Sequence, residues 1–91
     1  MAPLAYRYRE AVLQELERFG IRPGPATPPA RVRAFLNDLY TFELREIKVS
    51  RREAERFFGP QPRELYVVRV QAVKEKYPLL SLPVEVWTEP G

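Results

Sequence analysis

The sequence predicts a mostly α-helical fold, a small bundle of about four helices with an extended C-terminal arm. Three observations carry this. Apolar residues recur at three- and four-residue spacing through residues 4–19 and 27–48. Helix-boundary residues fall where those stripes begin and stop: Gly20, Thr27-Pro28, Ser50 followed by Glu53, Gly59-Pro60 and Pro62. The apolar stretches near the C-terminus have no Gly, Asn or Asp between them to build a tight hairpin. The competing expectation is an α+β fold with a small antiparallel sheet, its strands at about 41–49, 64–73 and 80–87, because Tyr40, Phe42 and Leu44 alternate and ELYVVRVQAV is rich in β-formers.

The first helix is expected over 4–19, with Ala5, Tyr8, Val12, Leu16 and Phe19 on one face and Glu10, Gln14, Glu17 and Arg18 on the other. Gly20 is placed to end it in a left-handed residue, with Ile21 closing back on Leu16. Residues 22–29 then hold four prolines and read as a stiff connector. Pro25 and Pro28 have PxxP spacing, which a rigid loop explains without a ligand role.

A second helix starts with Thr27 as N-cap and Pro28 at the first helical position, and runs to about residue 48 on the stripe Val32, Phe35, Leu36, Leu39. Ser50-Arg51-Arg52-Glu53 has the pattern of a capping box, so a third, short helix is expected to residue 58. The fourth, 62–76, is bounded by Pro62 and Pro78, and places Tyr66, Val70, Val73 and Tyr77 on one face. Residues 79–87 form the arm, where Leu80, Leu82, Val84 and Val86 alternate with polar positions up to Trp87. So apolar an arm is expected to dock on something.

Ninety-one residues suffice for one core, which predicts a single domain over 1–91. With no cysteine and no histidine, disulfides are excluded, the usual soft-metal sites are expected to be absent, and the commonest general acid/base is missing. No metal or cofactor is therefore expected. No apolar run reaches membrane-span length, and the first ten residues carry Arg7, Arg9 and Glu10, so a cytoplasmic protein without membrane attachment is expected. Twelve arginines against three lysines, with only four Asn and Gln, resemble thermophile usage. The net charge of +3 is spread along the chain without a basic tail.

Helical winding of residues 32–47 puts Glu43 and Glu46 inside the apolar arc, with no base three or four positions away. Such carboxylates need a partner from another element, and Arg69 on the fourth helix is the first choice, followed by Arg7 or Arg9. Pairing with a second subunit or use in a catalytic cleft are the two alternatives. Arg31, Arg33, Arg51, Arg52 and Arg56 could together contact phosphates, although Glu53 and Glu55 interleave with them as on an ordinary solvated helix face. The leading functional expectation is thus a non-enzymatic protein-interaction domain that self-associates through an apolar surface or through Leu80, Leu82, Val84, Val86 and Trp87. The alternative is a nucleic-acid-binding protein using the five arginines.

Overall fold

The computed structural model describes residues 5–90. Among them are three α-helices, α1 (Glu10–Glu17), α2 (Pro29–Phe58) and α3 (Arg63–Lys76), and two 3-10 turns, Pro78–Ser81 and Val84–Val86. The helical class expected from periodicity holds, and no strand occurs among the described residues. The only pairing of extended backbone there is an isolated antiparallel bridge between Tyr8 and Thr88. The chain sorts into two compact units, one drawing on the described residues up to Leu36 and from Leu79 onward, the other formed by Asn37–Pro78.

In the first unit the core is Val12 and Leu16 of α1, Val32 and Leu36 of α2, and Leu79 and Trp87 of the C-terminal segment. Helix α1 is shorter than its periodicity suggests. The expected start at Leu4 lies outside the described residues, and Arg9 in extended conformation is the N-cap. The reason is tertiary. Arg9 N–H, which a longer helix would use internally, is bonded to Trp87 O (3.0 Å), and Tyr6 N–H is held by Pro25 O (2.8 Å). The C-terminal end follows expectation: Gly20 has φ +74°, Ile21 N–H reaches Leu16 O at 3.0 Å and Gly20 N–H reaches Glu17 O at 2.9 Å, the paired bonds of a Schellman termination.

The start of α2 is displaced by one residue from the sequence reading. Pro28 O accepts from Arg31 N–H and Val32 N–H, so Pro29 is the first helical residue. Thr27 does not cap it. Its Oγ1 accepts from Gly24 N–H (3.0 Å), its N–H reaches Gly24 O (3.1 Å), and its carbonyl accepts the Tyr8 hydroxyl (2.6 Å). The connector is thereby closed on itself.

The capping box at Ser50 is a correction to the expectation of two helices over 27–58. Helix α2 is continuous through it. No Gly or Pro forces a stop there, and breaking the helix would orphan backbone groups on both sides of the break. The stop comes at Gly59, whose φ is +82° and whose N–H returns to Glu55 O at 2.9 Å, a single left-handed cap.

The extended arm is a second correction. Residues 78–86 fold into the two 3-10 turns, and the segment is bound to its own unit: Arg9 Nε donates to Val86 O (3.0 Å), Arg33 Nη2 to Leu80 O (2.9 Å), and Glu89 N–H to Arg7 O (2.8 Å). Prolines 78 and 83 favour tight turns over a ladder, and burial of Leu79 and Trp87 holds the segment down.

In the second unit, α3 begins after Pro62 and ends at Lys76, close to the predicted bounds. Tyr66, Val70 and Val73 are half-buried and Tyr77 is buried, the face the spacing assigns inward.

Candidate functional site

The chemistry of Asn37–Pro78 is concentrated in two places, a carboxylate clamp at one end of the helical pair and a basic-rimmed apolar groove farther along. Glu43 is half-buried, and its carboxylate accepts a short hydrogen bond from the Tyr77 hydroxyl and another from Lys76 Nζ at 2.9 Å. The Tyr40 ring meets Tyr77 edge-on, with centroids 5.7 Å apart. Burial alone would push Glu43 up, but the bonds from Tyr77 and Lys76 outweigh it and hold the carboxyl below its ordinary range. The same contact works in reverse on Tyr77, where burial and then the Glu43 hydrogen bond raise the phenol well above its usual value.

This corrects the acid pair expected from the sequence. Glu43 is held by Lys76 and Tyr77, not by Arg69, and Glu46 is exposed to solvent. Among the described residues no charged side chain is buried. Helical winding put the acids on the correct side of α2, but the neighbouring helix covers only part of that arc. Arg69 instead donates to Ser50 Oγ at 3.4 Å, near the outer limit for such a bond.

The groove lies between α2 and α3 and has a volume of about 270 Å³. Its apolar lining comes from Ile47 and Ala54 of α2, Pro62 of the connecting turn, and Leu65 and Val68 of α3. Ile47 and Ala54 are seven positions apart and so share a face of α2. The small Ala54 side chain leaves the hollow. Arg51, Arg69, Ser50 and Gln61 supply its polar edge. Arg51 is positioned by two contacts: its Nε donates to Glu55 at 3.1 Å, and its guanidinium sits 4.7 Å from the centre of the Tyr66 ring. A second, more polar hollow shares Arg51 and Tyr66 with the groove and adds Lys48, Arg52 and Glu55.

The five arginines proposed for nucleic acid are put to different uses. Arg33 is committed to Leu80 O, and its Nε is buried without an acceptor. Arg51 is committed to Glu55 and Tyr66, Arg56 lies 5.9 Å from the Phe57 ring centre, and Arg31 and Arg52 are exposed. Of the proposed arm, Trp87 is fully buried in its own unit, Leu80 and Val84 are half-buried, and Leu82 and Val86 face solvent. Trp87 is therefore a core residue and not a partner contact. Sequence reasoning missed Lys76, Tyr66 and Tyr77 as polar partners. The shared helical face of Tyr66 and Tyr77 was visible, but no local spacing rule links Glu43 to residues more than thirty positions away.

Among the described residues no helix is long and apolar enough to cross a membrane. No protein-family model matches the sequence, and neither a curated protein nor a solved structure matches it.

Proposed function

We propose that this protein is a non-enzymatic interaction module that self-associates through the apolar surface of its Asn37–Pro78 unit. The supporting observation is how little of that unit's apolar content is covered. Ile47 and Tyr77 are buried, whereas Phe42 is 58 % exposed, Phe57 73 % and Phe58 82 %, with Val49, Leu65, Val67 and Val68 also open. Phe42, Val49 and Phe57 fall on one side of α2 by helical winding. At about 200 Å² per aromatic side chain, Phe42 and Phe57 present on the order of 260 Å² on that side. With Val49 on the same side this approaches the largest apolar patch of a typical monomer, roughly 300–600 Å², and is about a third of the ~800 Å² each partner gives to a standard interface. A second copy brings the same surface, so a two-fold arrangement covers both at once.

Sedimentation velocity on the full chain tests this over roughly 10–200 µM, where an interface of modest area exchanges. The mass should rise with concentration above the 10.7 kDa of one chain. The double substitution Phe42→Gln and Phe57→Gln should return it to one chain without loss of helical circular dichroism. A wild-type protein that stays monomeric throughout defeats the proposal. Nucleic-acid binding is the weaker alternative, because Arg33 is already bonded to Leu80 O and Glu53 and Glu55 interleave with the remaining arginines of α2.

A further inference from the structure

We propose that the groove between α2 and α3 binds a small amphipathic anion: an acyl chain or compact apolar group lying on Ile47, Ala54 and Leu65, with its carboxylate or phosphate held by Arg69 and Arg51. The groove has the composition that ligand sites share, an apolar lining with a few convergent polar groups at its edge. Its volume of about 270 Å³ sits near the lower end of the usual ~300–1,000 Å³. This fixes the occupant as small, a chain of about eight carbons in place of a long lipid.

Charge selects the head group. Lys48, Arg51, Arg52 and Arg69 line the two adjoining hollows, and Glu55 is the one acid among those lining residues. Glu55 is already spent on Arg51 Nε, which leaves that guanidinium's two Nη groups available. The cation–π contact with Tyr66 restrains the guanidinium, so less freedom is lost when it grips an oxyanion. Arg69 has no carboxylate within ion-pair distance among the described residues; its contact is the Ser50 hydroxyl, 3.4 Å away. That hydroxyl accepts from Arg69 and retains its own proton to donate to an anion. Two guanidinium groups and a hydroxyl line the same greasy slot, a combination that suits an anion with an apolar tail and offers a cation nothing.

Isothermal calorimetry on the full chain tests the assignment with four eight-carbon probes: octanoate, octyl phosphate, octanol and octyltrimethylammonium. Octanoate and octyl phosphate should bind with sub-millimolar affinity, octanol at least about tenfold more weakly, and the cation not at all. The tighter of the two anions identifies the head group. Arg69→Gln should weaken both anions by about tenfold while leaving octanol unchanged. Ala54→Leu should fill the hollow and abolish binding of every probe. Both variants should keep wild-type helical circular dichroism, since Arg69 is exposed and Ala54 borders open space. Amide chemical shifts should move at Ala54, Leu65 and Arg69 on addition of octanoate. The proposal is overturned if octanol binds as well as octanoate, if neither anion binds, or if folded Ala54→Leu binds them normally.

Discussion

Trp87 is the chain's one tryptophan and is fully buried among the apolar side chains of its own unit, so its truncation tests the packing of that unit directly. Replacing a buried large aromatic by alanine costs about 3–5 kcal/mol, because the transfer energy is lost and the cavity closes only in part. Stability for a chain of this length is roughly 5–13 kcal/mol at ~0.05–0.15 kcal/mol per residue, so Trp87→Ala should remove a quarter or more of it. At about 4–8 °C per kcal/mol the melting midpoint should fall by at least ~12 °C. Trp87→Phe is the discriminating partner. The indole Nε1 is buried without an acceptor among the described residues, so deleting it forfeits no hydrogen bond. What remains is a void of about one small group, worth about 1 kcal/mol. Urea denaturation followed by far-ultraviolet circular dichroism measures both variants, and the wild type's tryptophan emission should be blue-shifted and poorly quenched by iodide. If Phe costs as much as Ala, the N–H has a partner. If emission is solvent-like, Trp87 is not in the core and the account of the C-terminal segment fails.

The Glu43 clamp should be asymmetric: Tyr77→Phe removes a bond to a charged, half-buried acceptor and should cost about 1.5–3 kcal/mol, while Lys76→Met removes a more exposed ion pair worth roughly 0.2–1 kcal/mol; urea midpoints rank them. Because Glu43 is held below the ordinary carboxyl range, its contribution is whole above its unfolded value of about 4.3 and is lost as pH falls through the lower folded value. Glu43→Gln should therefore flatten the acid limb of a stability-versus-pH curve, and an unchanged limb would contradict the clamp. The glycines should separate by backbone alone. Gly20→Ala and Gly59→Ala, at φ +74° and +82° with open space around the added carbon, should each cost about 1–2 kcal/mol. Gly24→Ala, whose φ is not left-handed and whose new carbon meets Thr27 Oγ1 at an ordinary 3.8 Å, should be neutral or stabilise by up to about 1 kcal/mol. Thermal melts of the three variants decide it.

What was legible in the sequence was local. Gly20 and Ile21 specify a Schellman end because only their immediate neighbours take part, and Pro62 and Pro78 bracket α3 for the same reason. What was not legible needed knowledge of a distant partner. Ser50-x-x-Glu53 matches a capping box, yet a cap forms only where the preceding backbone leaves the helix, and the residues before Ser50 give no cause to leave. Residues 5–9 continue the periodicity of α1 but are drawn into extended bonds by the C-terminal segment. The alternation in 80–87 is real in the sequence, but Pro83 and burial of Trp87 turn it into a 3-10 path. At the candidate site, Glu43 was found for a sound reason, the lack of a local base. Its actual partners belong to α3 and its end; the sequence offered Arg69 for its place on the same helix, but the register that brings Lys76 and Tyr77 to Glu43 is set by packing.

The two units are stabilised in different ways, and that difference supports the functional reading. Among the described residues, six of the eight buried apolar side chains, including Trp87, Leu16 and Leu36, belong to the first unit, which closes its own core. The Asn37–Pro78 pair buries only Ile47 and Tyr77, and its internal bonds are polar or cation–aromatic: Glu43 to Lys76 and Tyr77, Arg51 to Glu55 and Tyr66, Arg69 to Ser50. Apart from the part-buried Tyr77–Glu43 bond, such contacts fix geometry but contribute little net stability, since exposed pairs are worth about 1 kcal/mol or less. Helices in proteins gain most of their stability from tertiary packing of apolar surface, and the proposed second molecule would supply the cover that this pair lacks. Any molecule that binds only the folded pair stabilises it by mass action, so covering the phenylalanine face and filling the groove should each raise its resistance to unfolding as their concentrations rise. The proposed association and the proposed ligand binding would thus both be coupled to the folding of the same pair of helices, each covering apolar surface that Asn37–Pro78 leaves open.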